Sequence, residues 1–482
     1  MEFACLQNKN NIQKDFILAT VPWTDSNIPL MAPAVLKPII EKAGLSCLSV
    51  DLNVEIYNFT KKYKNRNDII RFFFDEFVNN DTKQILNDML FNIARQIVSF
   101  KPKYVGLSIF SYICQRSAKW ISYFIKKLDP NVIILVGGAG CNKAFTGKSQ
   151  FVEDMLKMKL IDFHIKGDAE KSLFEFLQGN TAHDGINTDT WTQISRQEMS
   201  TLPVPDYGDY NFDVYEKKAL AIVGSRGCVR QCTYCDFIVN WPKFHWRDAE
   251  DIFEEMLSQS KKYNIRFFKF QDSLVNGNQK EFLKLCRMLA KHNLENPDWR
   301  LQWNGHFIYR ESHDKSDDEW RLLRDSGATN LMVGIENLNQ HIRFAMGKKF
   351  SNKAIDDHLY YAKKYNIKQF LMNIVGYVNE VEEDIDFIKD WLKNHTEYKD
   401  VIHLQWGGTL GIFPNTFLDK NKEDLGIEMI GDQPSLWINR KTGSTPQLRA
   451  RWANELNDLS KKLGYKVADN IDNHYLLETL IA

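Results

Sequence analysis

From residue 16 to 177, and again from 219 to 408, short β-branched and aromatic runs alternate with segments of helical periodicity. In the first stretch FILATV (16–21), CLSVDL (47–52), YVGLSIF (104–110), VIILVGG (132–138) and LIDFHIKG (160–167) read as strands. Helices are expected up to about Lys42, within 54–100, over 117–128 and over 169–177, with Pro38 kinking or splitting the first. Parallel neighbours need a crossover of about a dozen residues or more, usually a helix, so this spacing predicts an α/β, doubly wound parallel sheet. The second stretch offers ALAIVGS, IRFFKFQDS, WRLQWNGH, NLMVGIE, FLMNIVGY and VIHLQWGG, with helices over 249–262, 279–293 and 355–365. Six such units predict a partial (β/α) barrel with its chemistry at the carboxyl ends of the strands.

Between the two series lies a polar tract that includes TLPVPDYGDY (201–210). Four segments are therefore expected: a Rossmann-like domain over 1–180, a linker over 181–215, a barrel over 216–425 and a small helical appendage over 426–482. Lys+Arg and Asp+Glu both number 62. A balanced charge argues against broad electrostatic capture of nucleic acid or acidic membranes. No apolar run reaches the ~18 residues of a membrane span, and the N-terminal residues lack the pattern of a signal peptide. The expected setting is cytoplasmic. Eight cysteines in 482 residues are too sparse for a disulfide scaffold.

Three of those cysteines crowd into IVGSRGCVRQCTYCDF (222–237), directly after the first strand of the second series. A cubane iron-sulfur cluster takes thiolate ligands at its corners. Cys228, Cys232 and Cys235 can hold three, leaving one iron open much as a catalytic metal keeps one position for substrate. Gly224 and Gly227 are expected to let the backbone approach the inorganic core. The rival reading, structural zinc, needs a fourth ligand, for which His245 is the nearest candidate.

The Cys-x-x-x-Cys-x-x-Cys spacing, with Tyr234 before the third cysteine, resembles the radical S-adenosylmethionine (radical SAM) superfamily. The resemblance implies a [4Fe-4S] cluster on Cys228, Cys232 and Cys235 whose open iron chelates S-adenosylmethionine. Reductive cleavage would then give methionine and a 5′-deoxyadenosyl radical, with an electron donor such as flavodoxin or ferredoxin. FQDS (270–273) stands where the family binds the cofactor's amino group, which implicates Asp272 and Ser273. VGIEN (333–337) puts Glu336 near the ribose or methionyl part. NIVGY with NEVEED (373–384) makes Gly376 the residue that leaves room for adenine. LGIFPNTF (410–417) carries Pro414-Asn415-Thr416 where the family usually has proline-glycine-threonine.

The first series, from VPWTDSNIP through VGLSIFS and VGGAG to IKGDAEKSLFEFL, resembles the cobalamin-binding domain that precedes the barrel in one radical SAM subfamily. The resemblance implies that Ser108 and Ser111 face the nucleotide tail, and that Gly137 and Gly138 let it approach the backbone. DFHIKG (162–167) spells a cobalamin signature but falls on the last strand, so His164 is expected to be a strand histidine. The loop after the first strand offers no histidine, so a bound cobalamin should lack a histidine lower ligand. NKAFTGKS (142–149) ends like a phosphate loop but lacks its first glycine. Cys5, Cys47 and Cys114 would have to converge for a second cluster, and their surroundings do not resemble one. Cys286 lies beside an apolar helix face and reads as core.

The leading expectation is a cobalamin-dependent radical SAM methyltransferase acting on a small molecule or peptide. The alternative is a radical enzyme whose first domain binds no cobalamin, giving rearrangement, cyclisation or oxidation; a non-catalytic iron-sulfur protein comes third. His306 and Tyr377, at strand ends, are candidates for substrate contact or ordinary strand-end residues.

Overall fold

The computed structural model describes residues 3–7, 12–24, 27–64, 66–74, 80–141, 150–308, 317–431 and 433–468. The phosphate-loop lookalike at 142–149 lies outside them. The chain divides into two units, Met1–Ala221 and Ile222–Ala482.

The first unit is built on five strands, β1 (Phe16–Thr20), β2 (Cys47–Asp51), β3 (Tyr104–Ser108), β4 (Ile133–Gly137) and β5 (Phe163–Ile165). They lie in the order β2-β1-β3-β4-β5, every pair parallel. One face carries Ile17, Ala19, Val105, Leu107, Ile134 and Val136, packed against Leu90, Ile93, Ile121 and Ile125. The other carries Phe16, Leu18, Leu135 and Ile165, under Ile40, Leu173 and Phe176. Apolar residues on both faces make the sheet doubly wound, as the alternation predicts. The strand order reverses between β1 and β3, the switch point where ligands of such sheets bind.

Pro38 does not split the first helix, which runs from Met31 to Lys42. A helical proline leaves the carbonyl four residues earlier without its donor. Here that carbonyl, on Ala34, accepts from the Asp206 backbone N–H at 2.8 Å. Asp206 belongs to the tract read as a linker, and the tract is in fact part of this unit. Lys37 pairs with Asp209 at 2.6 Å and the Tyr215 hydroxyl donates to Asp51 at 2.8 Å. Ile186, Ile194, Met199 and Tyr207 are buried. The boundary expected near 180 therefore lies at 221.

β6 (Leu220–Ile222) runs across the boundary, and the second unit continues with β7 (Ser225–Arg226), β8 (His245–Trp246), β9 (Phe267–Phe270), β10 (Gln302–Phe307), β11 (Ala328–Glu336), β12 (Lys368–Val375) and β13 (Ile402–Thr409). β14 (Ile427–Met429), β15 (Trp437–Asn439) and β16 (Lys466–Val467) follow. The main sheet has the order β16-β13-β12-β11-β10-β9-β6, so the six expected βα strands lie side by side in chain order. Asn264 and Asn366 end two of the crossover helices with φ of 55° and 52°, a conformation asparagine tolerates.

The residues after 425 are not an appendage. The helix Pro446–Lys462 starts with a Thr445 cap and a first-turn proline. It buries Trp452, Ala453 and Leu456, and Ser460 accepts from the Trp406 indole at 2.9 Å. It then delivers β16, which pairs parallel with β13 as a seventh strand. Among the described residues no helix is long and apolar enough to cross a membrane.

Candidate functional site

The cysteines lie on a loop closed by a short antiparallel ribbon, in which Arg226 pairs with His245 and Ser225 with Trp246. Gly227, with φ of 81°, is obligatory for the protein's own sake: a Cβ there would stand 2.0 Å from the Lys243 carbonyl. Gly224 likewise faces Ile252 and Asp272, so neither glycine acts as the expected clearance for a cluster.

Each thiol has a partner suited to a thiolate. The Arg230 N–H points at Cys228 Sγ at 3.5 Å. Burial pushes the Cys235 thiol up to about 12, against the backbone N–H groups of Ile238 and Phe237 that favour its anion. Burial also raises Cys232, opposed by the Lys348 ammonium. Such thiols ionise when a cationic centre binds them. Among the described residues, His245 included, no three His, Cys, Asp or Glu side chains converge as ligands of one metal ion. Three thiols are the donor set for three corners of a cubane, one short of the four ligands a structural zinc takes.

Beside the cysteines sits a buried ion pair that sequence reasoning missed in part. Glu336 ends β11 with φ of 65°, a costly conformation for a residue with a side chain. Its carboxylate meets Lys348 at 3.0 Å, and the same ammonium donates to the Gly334 carbonyl at 3.1 Å. Burial alone would lower the Lys348 pKa, but Glu336 and the Cys232 and Cys228 sulfurs outweigh it and the net shift is upward. The Tyr234 hydroxyl is also hydrogen-bonded to Glu336. Tyr234 and Glu336 therefore meet at the cysteine loop. Lys348 arrives there because Gly347 lets its segment pack against the loop; a Cβ on Gly347 would come within 3.1 Å of the Gln231 carbonyl. A glycine-lysine pair a short helix after VGIEN was the available signal.

Asp272 does not fill the role expected of it. It is only 2 % exposed, and its oxygens accept from the Gly224 N–H at 2.9 Å and the Ser225 hydroxyl at 2.5 Å. It lines an internal cavity of about 20 Å³ with Arg247, Phe270 and Phe282, and no cysteine lines that cavity. Burial raises its carboxyl to about 6. Asp272 anchors the base of the cysteine loop, each of its oxygens already accepting a hydrogen bond from it. Ser273 follows it, half-buried.

Gly376 also differs from expectation. Its φ is 83°, and the space beside its Cα is filled by Arg449, whose Cδ would lie 2.1 Å from an added Cβ. The Gly376 and Tyr377 N–H groups donate to one oxygen of Glu380, and Asn337 donates to the other. Burial pushes the Glu380 carboxyl up to about 7. Asn415, in the place of the usual glycine, keeps a φ of 66°. Thr416 caps the helix Phe417–Lys420.

Trp303, Val333, Leu371 and Leu404 are buried. Their neighbours on the opposite sheet face are half-buried and mostly polar. Lys269, Asn304 and Asn330 are in register, and the carboxamide oxygens of the two asparagines lack a protein partner. His306, Met332, Phe370 and His403 form the next row. Burial, then Lys269, lowers His306 to about 4, so it is neutral near pH 7. Tyr377 instead hydrogen-bonds Thr233 at 2.7 Å.

In the first unit Ser108 and Gly137 are register partners at the ends of β3 and β4, both half-buried. Ser111 follows, between Phe110 and Tyr112, each 56 % exposed. Thr20 is in register with both Ser108 and Asp51. Thr20 Oγ1 is buried without a hydrogen-bond partner, while the buried Tyr210 hydroxyl lies beside Ser49 and senses the Asp51 charge. An orphaned hydroxyl at a switch point suits a polar, hydrogen-bonding ligand group. Gly138 does not provide clearance: a Cβ there would lie 2.5 Å from the Ile109 carbonyl. His164 is a buried β5 residue held near pKa 4 by burial, then by Lys166.

Residues 222–392 match the model of the Radical SAM superfamily. A methyltransferase of uncharacterised specificity from Pyrococcus horikoshii is 22 % identical over 321 residues, 63 % of this chain and 66 % of that protein. The anaerobic magnesium-protoporphyrin IX monomethyl ester cyclase of Synechocystis is 24 % identical over 299 residues, 56 % of this chain and 54 % of that one. The aligned part thus spans about two thirds of one curated relative and about half of the other. Among solved structures, the radical S-adenosylmethionine methyltransferase TsrM from Kitasatospora setae superimposes with a TM-score of 0.65 at 14 % identity, covering 97 % of this chain and 94 % of that one. The cobalamin-dependent radical enzyme OxsB gives 0.63 at 14 % identity, over 98 % and 71 %. At such identities the likeness establishes the fold. Residues 222–392 thus carry a domain of the Radical SAM superfamily type.

Proposed function

We propose that this protein is a cobalamin-dependent radical SAM methyltransferase. The observation that carries the reading is the cysteine loop after the first strand of a parallel sheet, each thiol facing an N–H group or ammonium. A [4Fe-4S] cluster and cobalamin, when bound, supply respectively one electron to S-adenosylmethionine and a methyl-transfer centre. Cys228, Cys232 and Cys235 hold the cluster. Lys348 and Glu336 offer opposite charges beside it, complementary to the carboxylate and ammonium of a methionyl group. Tyr234 hydrogen-bonds Glu336 and fixes its orientation. The half-buried polar face with Asn304, Asn330 and His306 suits a small, hydrogen-bonding substrate.

Two findings support the cobalamin half. The fold matches TsrM and OxsB over nearly all of this chain, and both were determined with cobalamin bound. The unpartnered Thr20 hydroxyl is on the register partner of Ser108, itself paired with Gly137, and these residues with Ser111 would hold its tail. A small redox protein such as flavodoxin or ferredoxin would deliver the electron.

Anaerobic reconstitution should give about four iron and four sulfide per chain. Reduction with S-adenosylmethionine should yield 5′-deoxyadenosine, and Cys232→Ala should abolish it. Hydroxocobalamin should co-elute with the reconstituted protein. Iron-loaded protein that releases all its cobalamin on gel filtration would leave a radical enzyme without a methyl carrier.

A further inference from the structure

We propose that Tyr377 is a positioning residue that fixes the cysteine loop, and with it the open iron, relative to the strand ends where S-adenosylmethionine is held; this rests on the function proposed above. The lever is Thr233, the residue after Cys232. All its polar groups are committed to elements distant in sequence. Its N–H donates to the Met346 carbonyl and its carbonyl accepts from the Leu418 N–H, each at 3.2 Å. Its hydroxyl meets the Tyr377 hydroxyl at 2.7 Å. Tyr377 in turn donates to the Ala345 carbonyl at 3.0 Å. A phenol has one proton, so with that proton on Ala345 the Thr233 hydroxyl is the donor to Tyr377.

The loop is thus fastened to the segments after β11, β12 and β13 through one threonine. Tyr377 is itself held, because its backbone N–H donates to buried Glu380 at 3.0 Å and its ring lies in the apolar group with Met346, Leu418 and Trp437. Lys348, the cation of the pair with Glu336, sits on the same Ala345–Lys348 segment that Tyr377 and Thr233 grip. A shift of the loop against that segment moves the cluster relative to both charges. Remote contacts that set reacting-atom geometry in this way act on rate and affinity without touching substrate.

The experiment uses the full-length reconstituted protein and reads the S-adenosylmethionine concentration that half-converts the electron paramagnetic resonance signal of the reduced cluster. Tyr377→Phe and Thr233→Val should keep a full complement of iron. Each should raise that concentration about fivefold, the equilibrium effect of one neutral hydrogen bond. Thr233→Ser should restore the wild-type value, and the Phe/Val double variant should be no worse than either single one. Wild-type behaviour of both single variants overturns the proposal, as does equal impairment of Thr233→Ser and Thr233→Val. Should Tyr377→Phe fail to load iron, the Val and Ser pair decides alone. A wild-type cluster that never responds to S-adenosylmethionine would refute the proposed function instead.

Discussion

Asp272→Ala tests whether this carboxylate anchors the cysteine loop or binds an amine. Removing it strands the Gly224 N–H and leaves the Ser225 hydroxyl only the Leu274 carbonyl at 3.4 Å. Each buried group left without a partner costs about 1–3 kcal/mol. Against this, the native carboxylate is costly to keep ionised. Burial raises it from the usual 3.8 to about 6, a gap corresponding to roughly 3 kcal/mol near neutral pH. At pH 7.5 the two effects largely offset, leaving a loss of roughly 1–2 kcal/mol. The sign with pH is the sharper test. A raised folded-state pKa contributes stability that is fully present below about 3.8 and lost as the pH rises through about 6. The wild type therefore gains on acidification and the alanine variant does not, so the difference should widen by about 1 kcal/mol between pH 7.5 and 5.5. Urea unfolding of the metal-free protein at both values measures it. Reconstituted iron content should fall while the S-adenosylmethionine requirement of the loaded fraction stays within about threefold. A variant with native stability and iron content but a requirement raised more than about tenfold would place the carboxylate at the cofactor's amine and refute the structural role.

Gly227→Ala combines a left-handed backbone with a Cβ 2.0 Å from the Lys243 carbonyl, so the ribbon should open and iron loading should fall several-fold at little change in helix content by circular dichroism. Gly376→Ala meets Arg449 at 2.1 Å and should cost about 2–5 kcal/mol from backbone strain and overpacking. Adding Arg449→Ala should recover only the packing part, which thermal melts of the single and double variants will show as non-additivity. Glu380→Gln should flatten the stability profile between about pH 4.5 and 7, because burial raises the native carboxyl to about 7 and its contribution is lost as the pH rises through that value. A denaturant series across that window, with a slope difference totalling about 3 kcal/mol, checks it.

The layered fold was legible because its signals are local. A strand such as FILAT or a helix such as the one covering Gln279–Glu295 announces itself within one window of residues. The tract 181–215 was not legible for the opposite reason. Its buried residues are scattered tyrosines and isoleucines among Asp, Pro and Gly, and its fastening runs through pairs such as Lys37 with Asp209, 172 residues apart. β16 is two residues long and exists only because a helix ending at Lys462 returns it to β13. The site divides the same way. Three cysteines within eight positions can be read directly, whereas the Thr233 and Tyr377 hydroxyls meet across 144 residues of sequence. The hydrogen bonds of Asp272 to the loop were not legible because an acid at a strand end suits a ligand amine and a loop N–H equally well.

The glycines carry the same lesson further. Gly138, Gly227 and Gly376 each mark a place where something passes too close for a Cβ, which is all that a glycine in a sequence implies. In every case the close neighbour is the protein itself: the Ile109 carbonyl, the Lys243 carbonyl and the Arg449 side chain. Room for cofactors then has to come from another source, and the polar groups identify it. Asn304 and Asn330 leave buried oxygens unpaired on one sheet, and Thr20 leaves a hydroxyl unpaired at the carboxyl end of a strand of the other. An unpaired buried oxygen costs free energy in the folded chain that a ligand donor can return. Glycine clearance can be satisfied internally, but an unpaired acceptor still calls for a partner. In a fold of this kind the orphaned oxygens are therefore the better guide to where small molecules bind.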